Sequence, residues 1–199
     1  MAGKVGADAS PKATLRRHMI AARDALPPGR RHELSAAITA QVLALDAYRN
    51  ANCVLAYMSF GSEFDTTVLI ADALASGRQL CLPRVNRNTR RLELHVVENV
   101  DSVLQSGTWG IREPRAERPP ADLARIDFVL LPGVAFTPRC ERLGYGGGFY
   151  DRLIPRFASR PPLVAAAFAL QVCDAVPVDA NDQRIDVVIT ENSFYCNCG

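Results

Sequence analysis

The sequence predicts an α/β protein: a mostly parallel, Rossmann-like sheet flanked by helices. Three observations carry that reading. The run Cys53-Val-Leu-Ala-Tyr57, a helical stretch ended by Gly77, and the run Gln79-Leu-Cys-Leu-Pro83 form one strand–helix–strand unit, which implies a parallel pair. Short apolar runs of strand length recur at Ile126 to Leu131, Leu163 to Ala169 and Val187 to Ile189. Two amphipathic helical patterns precede the first strand and supply faces to cover the sheet.

The bulk numbers agree with one globular unit. The chain has 199 residues, 48% of them hydrophobic and 22% charged, ordinary values for a protein with a real core. The expected organisation is a loose tail over 1–10, a single α/β domain over 11–192 and a C-terminal tail over 193–199. No apolar run reaches the length of a membrane span, and the first residues lack the apolar core of a secretory signal. A cytoplasmic protein is therefore expected, with reduced cysteines. Cys53 and Cys81 lie inside strand-like runs, where a free thiol behaves as a small hydrophobe.

The elements follow in order. Ser10-Pro11 is a helix start, with Ser as N-cap and Pro in the first turn. Leu15, Met19, Ala22 and Leu26 then repeat at helical spacing, and Pro27-Pro28-Gly29 is expected to break the helix. A second helix, about Arg31 to Asp46, turns Leu34, Ile38, Val42 and Leu45 inward. Asp65 or Thr66 can cap the helix that runs through Ala75. Leu92 to Val96 alternates and reads as a more exposed strand. The stretch from Gly107 to Pro120 is loop-rich and holds Trp109, the one tryptophan.

Net charge is only +2, but it is uneven: through Arg31 there are seven Lys or Arg against Asp8 and Asp24. A basic first helix suggests an anionic partner. Lys12 and Arg16 lie four apart on one face, where like charges repel by a few tenths of a kcal/mol unless an anion joins them.

The most informative segment is Arg142-Leu-Gly-Tyr-Gly-Gly-Gly-Phe-Tyr-Asp151, between a strand and a short helix. Glycines at 144, 146, 147 and 148 leave the backbone free to approach a ligand closely. Backbone N–H groups leading into a helix suit phosphate oxygens. Tyr145, Phe149 and Tyr150 can pack on a flat ring, and Asp151 is an oxygen ligand of the kind Mg²⁺ accepts beside phosphates. The segment is neither a P-loop, which needs a lysine, nor a dinucleotide fingerprint, since Phe149 stands where the third glycine belongs. Other candidates stay open. Asp186 could bind metal or end a turn. Glu63 could hydrogen-bond a polar ring or cap the next helix. Trp109 could stack on a heterocycle or fill the core. The strand-end loops at Ser59–Glu63, Pro132–Asp151 and near Asp186 are expected to converge on one cleft.

Several segments together resemble the 5-formyltetrahydrofolate cyclo-ligase (methenyltetrahydrofolate synthetase) family. They are Lys12-x-x-Leu-Arg16, Tyr57 to Thr66, Leu82-Pro-Arg84, Gly107 to Pro114, Leu131 to Phe136 with Arg142 to Arg152, and Arg184 to Thr190. The resemblance implies a fold similar to the sugar-phosphate isomerase and CoA transferase group. It implies ATP- and Mg²⁺-dependent conversion of 5-formyltetrahydrofolate to 5,10-methenyltetrahydrofolate. It places ATP on Lys12, Arg16, Arg142, Leu143, Gly144, Tyr145, Gly146, Gly147, Gly148, Phe149 and Tyr150. It places the folate on Met58, Glu63, Trp109, Tyr145, Gly146, Gly147, Gly148 and Phe149, and Mg²⁺ on Asp151 and Asp186. Many relatives have Tyr where this chain has Phe149. Partners would be the two small molecules alone, with no membrane and no nucleic acid, and the protein a monomer. The alternatives are a nucleic-acid-binding protein using the basic helix, and a phosphotransferase on another small molecule.

Overall fold

The structure is a computed structural model, and it describes residues 10–107 and 110–197. The chain begins with helices α1 (Pro11–Asp24), α2 (Pro28–Ala44) and α3 (Asp46–Arg49). Then come β1 (Cys53–Leu55), α4 (Thr67–Ala75), β2 (Gln79–Asn86) and β3 (Arg91–Val97). A short α5 (Val100–Val103) leads to the hairpin β4 (Leu104–Ser106) and β5 (Arg112–Pro114). The second half holds β6 (Phe128–Leu131), β7 (Ala135–Phe136), β8 (Arg142–Leu143), α6 (Phe149–Leu153), β9 (Leu163–Ala166), β10 (Val187–Ile189) and β11 (Phe194–Cys196).

One sheet of seven strands organises these elements in the order β11-β10-β9-β6-β1-β2-β3. The inner strands are parallel: β1 pairs with β2 and β6, β6 with β9, and β9 with β10. The two edges, β3 and β11, run antiparallel to their neighbours. The mostly parallel α/β reading therefore holds. β1, β6 and β9 are buried along their whole length, as strands covered on both faces must be.

Alternation along the strands splits the core in two. Val54, Leu80, Leu130 and Val164 join Ile38 and Val42 of α2 and Leu69 and Ala73 of α4 on one face. Cys53, Leu55, Cys81, Val129 and Leu131 join Leu153, Ile154 and Phe157 on the other. Each such side chain contributes about 1.5–3 kcal/mol by burial. Tyr48 meets Phe128 edge to face at 5.3 Å. Cys53, Cys81 and Cys140 are buried and free.

Some sequence expectations give way. Ser10 and Pro11 do start α1, the Ser10 hydroxyl accepting from Ala13 N–H at 3.3 Å. Pro28 does not merely end that helix; it opens α2, because its missing N–H costs nothing in a first turn. The strand expected to reach Ala169 stops at Ala166, and the chain turns at Ala169–Gln171, where the Gln171 side-chain oxygen accepts from Phe168 N–H at 3.0 Å. Part of the expected C-terminal tail joins the sheet: Phe194–Cys196 is an edge strand on β10. Its pairing was not visible because a three-residue strand has too few positions to show a period.

Candidate functional site

Ligand-binding loops of a parallel sheet leave the carboxyl ends of its strands. Here the loop after β1 carries Met58 and Glu63, and the chain after β6 carries the small β7–β8 hairpin and the glycine loop. The third loop to join them follows β9, not the one near Asp186: Gln171 donates to the carbonyls of Gly133 and Val134 at 3.3 and 3.0 Å.

The first two loops are joined by one phenol. The Tyr145 hydroxyl donates to Glu63 Oε1 at 2.5 Å, while Phe60 N–H donates to Glu63 Oε2 at 3.1 Å. Glu63 is buried, and burial outweighs these bonds and the nearby Arg23 charge, holding its carboxyl above the usual range. Burial and the adjacent Glu63 push the Tyr145 phenol up, so it remains a donor. Tyr145 is 38% exposed, and its ring lies 5.5 Å from that of Phe60. A cavity of about 220 Å³ shares Phe60 and Glu63 with this cluster and is lined further by Arg31, His32, Ser35 and Asp65, but not by Tyr145. That volume suits a ring system rather than a whole folate. Met58 is half-buried against the core beneath this loop.

Close approach shapes the glycine loop. A Cβ on Gly147 would stand 2.4 Å from the Phe149 ring, and Gly148 adopts φ 61° at the start of α6. Arg152 clasps the loop, donating to the carbonyl of Gly147 at 2.6 Å and of Arg90 at 2.7 Å.

Three predicted cations meet here. Arg16 Nε donates to the Gly144 carbonyl at 2.7 Å, and its guanidinium lies beside Gly146. Lys12 instead holds Asp179 at 2.7 Å and Asp182 at 2.5 Å. Burial lowers its pKa, but the bonds and charges of these two carboxylates raise it further, so the ammonium is kept. Arg142 is buried, ion-paired to Asp151 at 2.7 Å, and 5.9 Å from the Tyr150 ring centre. Its Nε has no hydrogen-bond partner among the described residues. Leu143 and Tyr150 are buried and hold the loop from below. α1 turns Arg16 and Arg23 inward, while Leu15 and Met19 pack on Val134 and Leu143.

The two carboxylates expected to share Mg²⁺ are not brought together. Asp186 stands at the amino end of β10, where Oδ1 accepts from Arg160 at 2.5 Å and Oδ2 from Leu163 N–H at 2.8 Å. It is a structural cap, on the edge of the sheet opposite the strand-end loops. Asp151 remains on the glycine-loop side; Arg142 and Gln183 N–H both bind its Oδ1, at 2.7 and 3.2 Å. Among the described residues no three His, Cys, Asp or Glu side chains converge on a point. The pair thus does not fit one ion, whereas Asp151 alone, through Oδ2, fits a metal carried in on phosphates. Trp109 lies outside the described residues.

Sequence reasoning missed Arg23, Asp179 and Asp182. Arg23 follows Lys12 by about three helical turns, so the same face was a signal. The aspartates sit in an irregular segment where no periodicity marks them.

Fold and site together define an α/β enzyme class that works on small molecules at the carboxyl edge of its sheet. The 5-formyltetrahydrofolate cyclo-ligase family model matches residues 8–191, and the chain belongs to that family. The mouse 5-formyltetrahydrofolate cyclo-ligase is 28% identical over 178 residues, covering 85% of this chain and 88% of its own. The mitochondrial enzyme of Arabidopsis thaliana is 30% identical over 193 residues, covering 83% and 69%. The NMR structure of the Aquifex aeolicus 5,10-methenyltetrahydrofolate synthetase is 31% identical, with TM-score 0.82 over 94% of this chain and 93% of that one. No helix among the described residues is long and apolar enough to cross a membrane.

Proposed function

We propose that this protein converts 5-formyltetrahydrofolate to 5,10-methenyltetrahydrofolate at the expense of ATP. One observation carries the reading: Tyr145 of the glycine loop reaches Glu63 at 2.5 Å, which ties a phosphate-type loop to a wall residue of the ring-sized cavity. In this scheme Lys12, Arg16 and Arg142 hold phosphate oxygens, and the glycine-loop backbone lies along them. Met58, Glu63, Tyr145 and Phe149 position the folate. Phosphoryl transfer asks mainly for such positioning and charge stabilisation, not for a protein nucleophile. The formyl oxygen bonds to the γ-phosphorus as ADP leaves. N10 then bonds to the formyl carbon, its proton is lost, and the C–O bond breaks to release phosphate and the methenyl cation. Mg²⁺ supplies charge neutralisation on the phosphates when bound, and Asp151 is the side chain that would hold it.

The same proposal places the work in one folding unit, a cytoplasmic monomer whose sheet is similar to that of the sugar-phosphate isomerase and CoA transferase group. That likeness alone would not define the reaction. The alternative of nucleic-acid binding through α1 is disfavoured, since the family match runs over residues 8–191 and so takes in α1 itself. The test mixes protein, Mg-ATP and 5-formyltetrahydrofolate, and follows methenyl absorbance with ADP release. One ADP per methenyl product is expected. ATP turnover without methenyl product would point to a different acceptor.

A further inference from the structure

Arg23 carries no role in the scheme above, yet it is one of the most enclosed charges in the protein, 3% exposed. Its Nε donates to Ser62 Oγ at 3.0 Å and its Nη2 to the Tyr145 hydroxyl oxygen at 2.9 Å. Ser62 in turn donates to Asp24, the next residue of the same helix. The Tyr145 hydroxyl donates in turn to Glu63. The end of α1 thus grips both loops through their neighbouring residues. A guanidinium suits this use, because its fixed fork serves two acceptors at once.

We propose that Arg23 is a positioning residue for the folate: it holds Tyr145 hydrogen-bonded to Glu63, and so sets the Glu63 carboxylate toward the substrate ring. The role rests on the proposed folate reading of this pocket. Without Arg23, the Tyr145 hydroxyl has no donor fixing its oxygen, and the phenol can swing with the flexible glycine backbone. A part-buried acceptor left without its cationic donor is also disfavoured, which adds to the drift. Arg16, by contrast, binds the loop at Gly144 and leaves the Tyr145–Glu63 contact to Arg23.

The test uses the full chain with Arg23→Gln, Arg23→Lys, Tyr145→Phe and the double variant Arg23→Gln/Tyr145→Phe. Arg23→Gln should raise the KM for 5-formyltetrahydrofolate about tenfold, the worth of one good charge-assisted bond, and move the KM for ATP less than about twofold. Arg23→Lys should recover part of that loss. In the Tyr145→Phe background, Arg23→Gln should add less than about twofold, because both changes break one linkage. An unchanged folate KM, equal rises for folate and ATP, or additive effects would overturn the proposal. The same four proteins are unfolded in denaturant without ligand. If wild type makes no methenyl product, the folate reading fails; the unfolding cycle then still reports on Arg23. Coupling between 23 and 145 would keep its grip on the loop, and additivity would remove it.

Discussion

The Nε of Arg16 donates to the carbonyl oxygen of Gly144 at 2.7 Å, which fastens the first helix to the start of the glycine loop. Arg16 is therefore both a phosphate candidate and a support for the loop, while Lys12, about one turn earlier in α1, is tied to Asp179 and Asp182. The two cations should behave differently when removed.

Lys12→Ala should raise the KM for ATP about tenfold or more, since a charge-assisted bond to phosphate is worth about 1.5–3 kcal/mol and two aspartates are left uncompensated. Asp182→Asn should move the KM the other way, because it frees Lys12 for phosphate. Arg16→Ala should raise the KM and also lower the melting temperature, as the Gly144 carbonyl loses its donor. Steady-state ATP kinetics beside thermal unfolding check all three. Equal ATP kinetics for Lys12→Ala and wild type would remove Lys12 from the site.

Asp151 and Asp186 should separate cleanly in a Mg²⁺ titration. Asp151→Asn should raise the Mg²⁺ half-saturation and lower stability by about 3 kcal/mol, because the buried Arg142 loses its charge partner. Asp186→Asn should leave half-saturation unchanged. Its side chain and that of Arg160 are 32% and 47% exposed, so the lost pair is worth at most about 1 kcal/mol. That corresponds to about 2–4 °C in melting temperature. A shifted Mg²⁺ requirement in Asp186→Asn would restore it to the metal site.

Glu63→Gln should trade binding for stability. Burial raises the Glu63 pKa above the ordinary carboxylate range, so the folded state holds this proton more tightly than the unfolded state. For an acid shifted upward, stability is highest below the unfolded value and falls as pH rises toward the folded value. Gln keeps the shape and an acceptor for Tyr145 while removing the charge. The variant should therefore melt above wild type at pH 8, with the difference vanishing below about pH 4.5. Its folate KM should rise at neutral pH. Melting curves across pH decide the matter; a variant less stable than wild type at pH 8 would show that the ionised carboxylate is a net support.

Much of this arrangement was legible in residue pattern. Fully apolar runs such as Phe128–Leu131 declared inner strands, Gly77 ended its helix at φ 75°, and the glycine cluster marked the loop. What escaped was tertiary. Asp186 beside a strand looks the same in one dimension whether it faces the ligand edge or caps the opposite one. Lys12 gave no hint that Asp179 and Asp182 would reach it, because irregular segments have no period from which to infer direction. Arg23 was lost among other basic residues, although its alignment with Lys12 along α1 was present in the spacing.

The contact between Lys12 and Asp182 spans 170 positions, and that between Arg16 and Gly144 spans 128. Loop closure over such distances is entropically slow and is rewarded only after the intervening sheet is in place. During synthesis α1 emerges first, and it has to wait for almost the whole chain before its charged face finds its partners. Strands β1 and β2 with α4 can pair early, being near neighbours in sequence. The cluster of Lys12, Asp179 and Asp182 is therefore among the last parts to mature, and a nascent chain released before Asp182 would hold Arg16 against Gly144 while leaving Lys12 without its Asp182 partner.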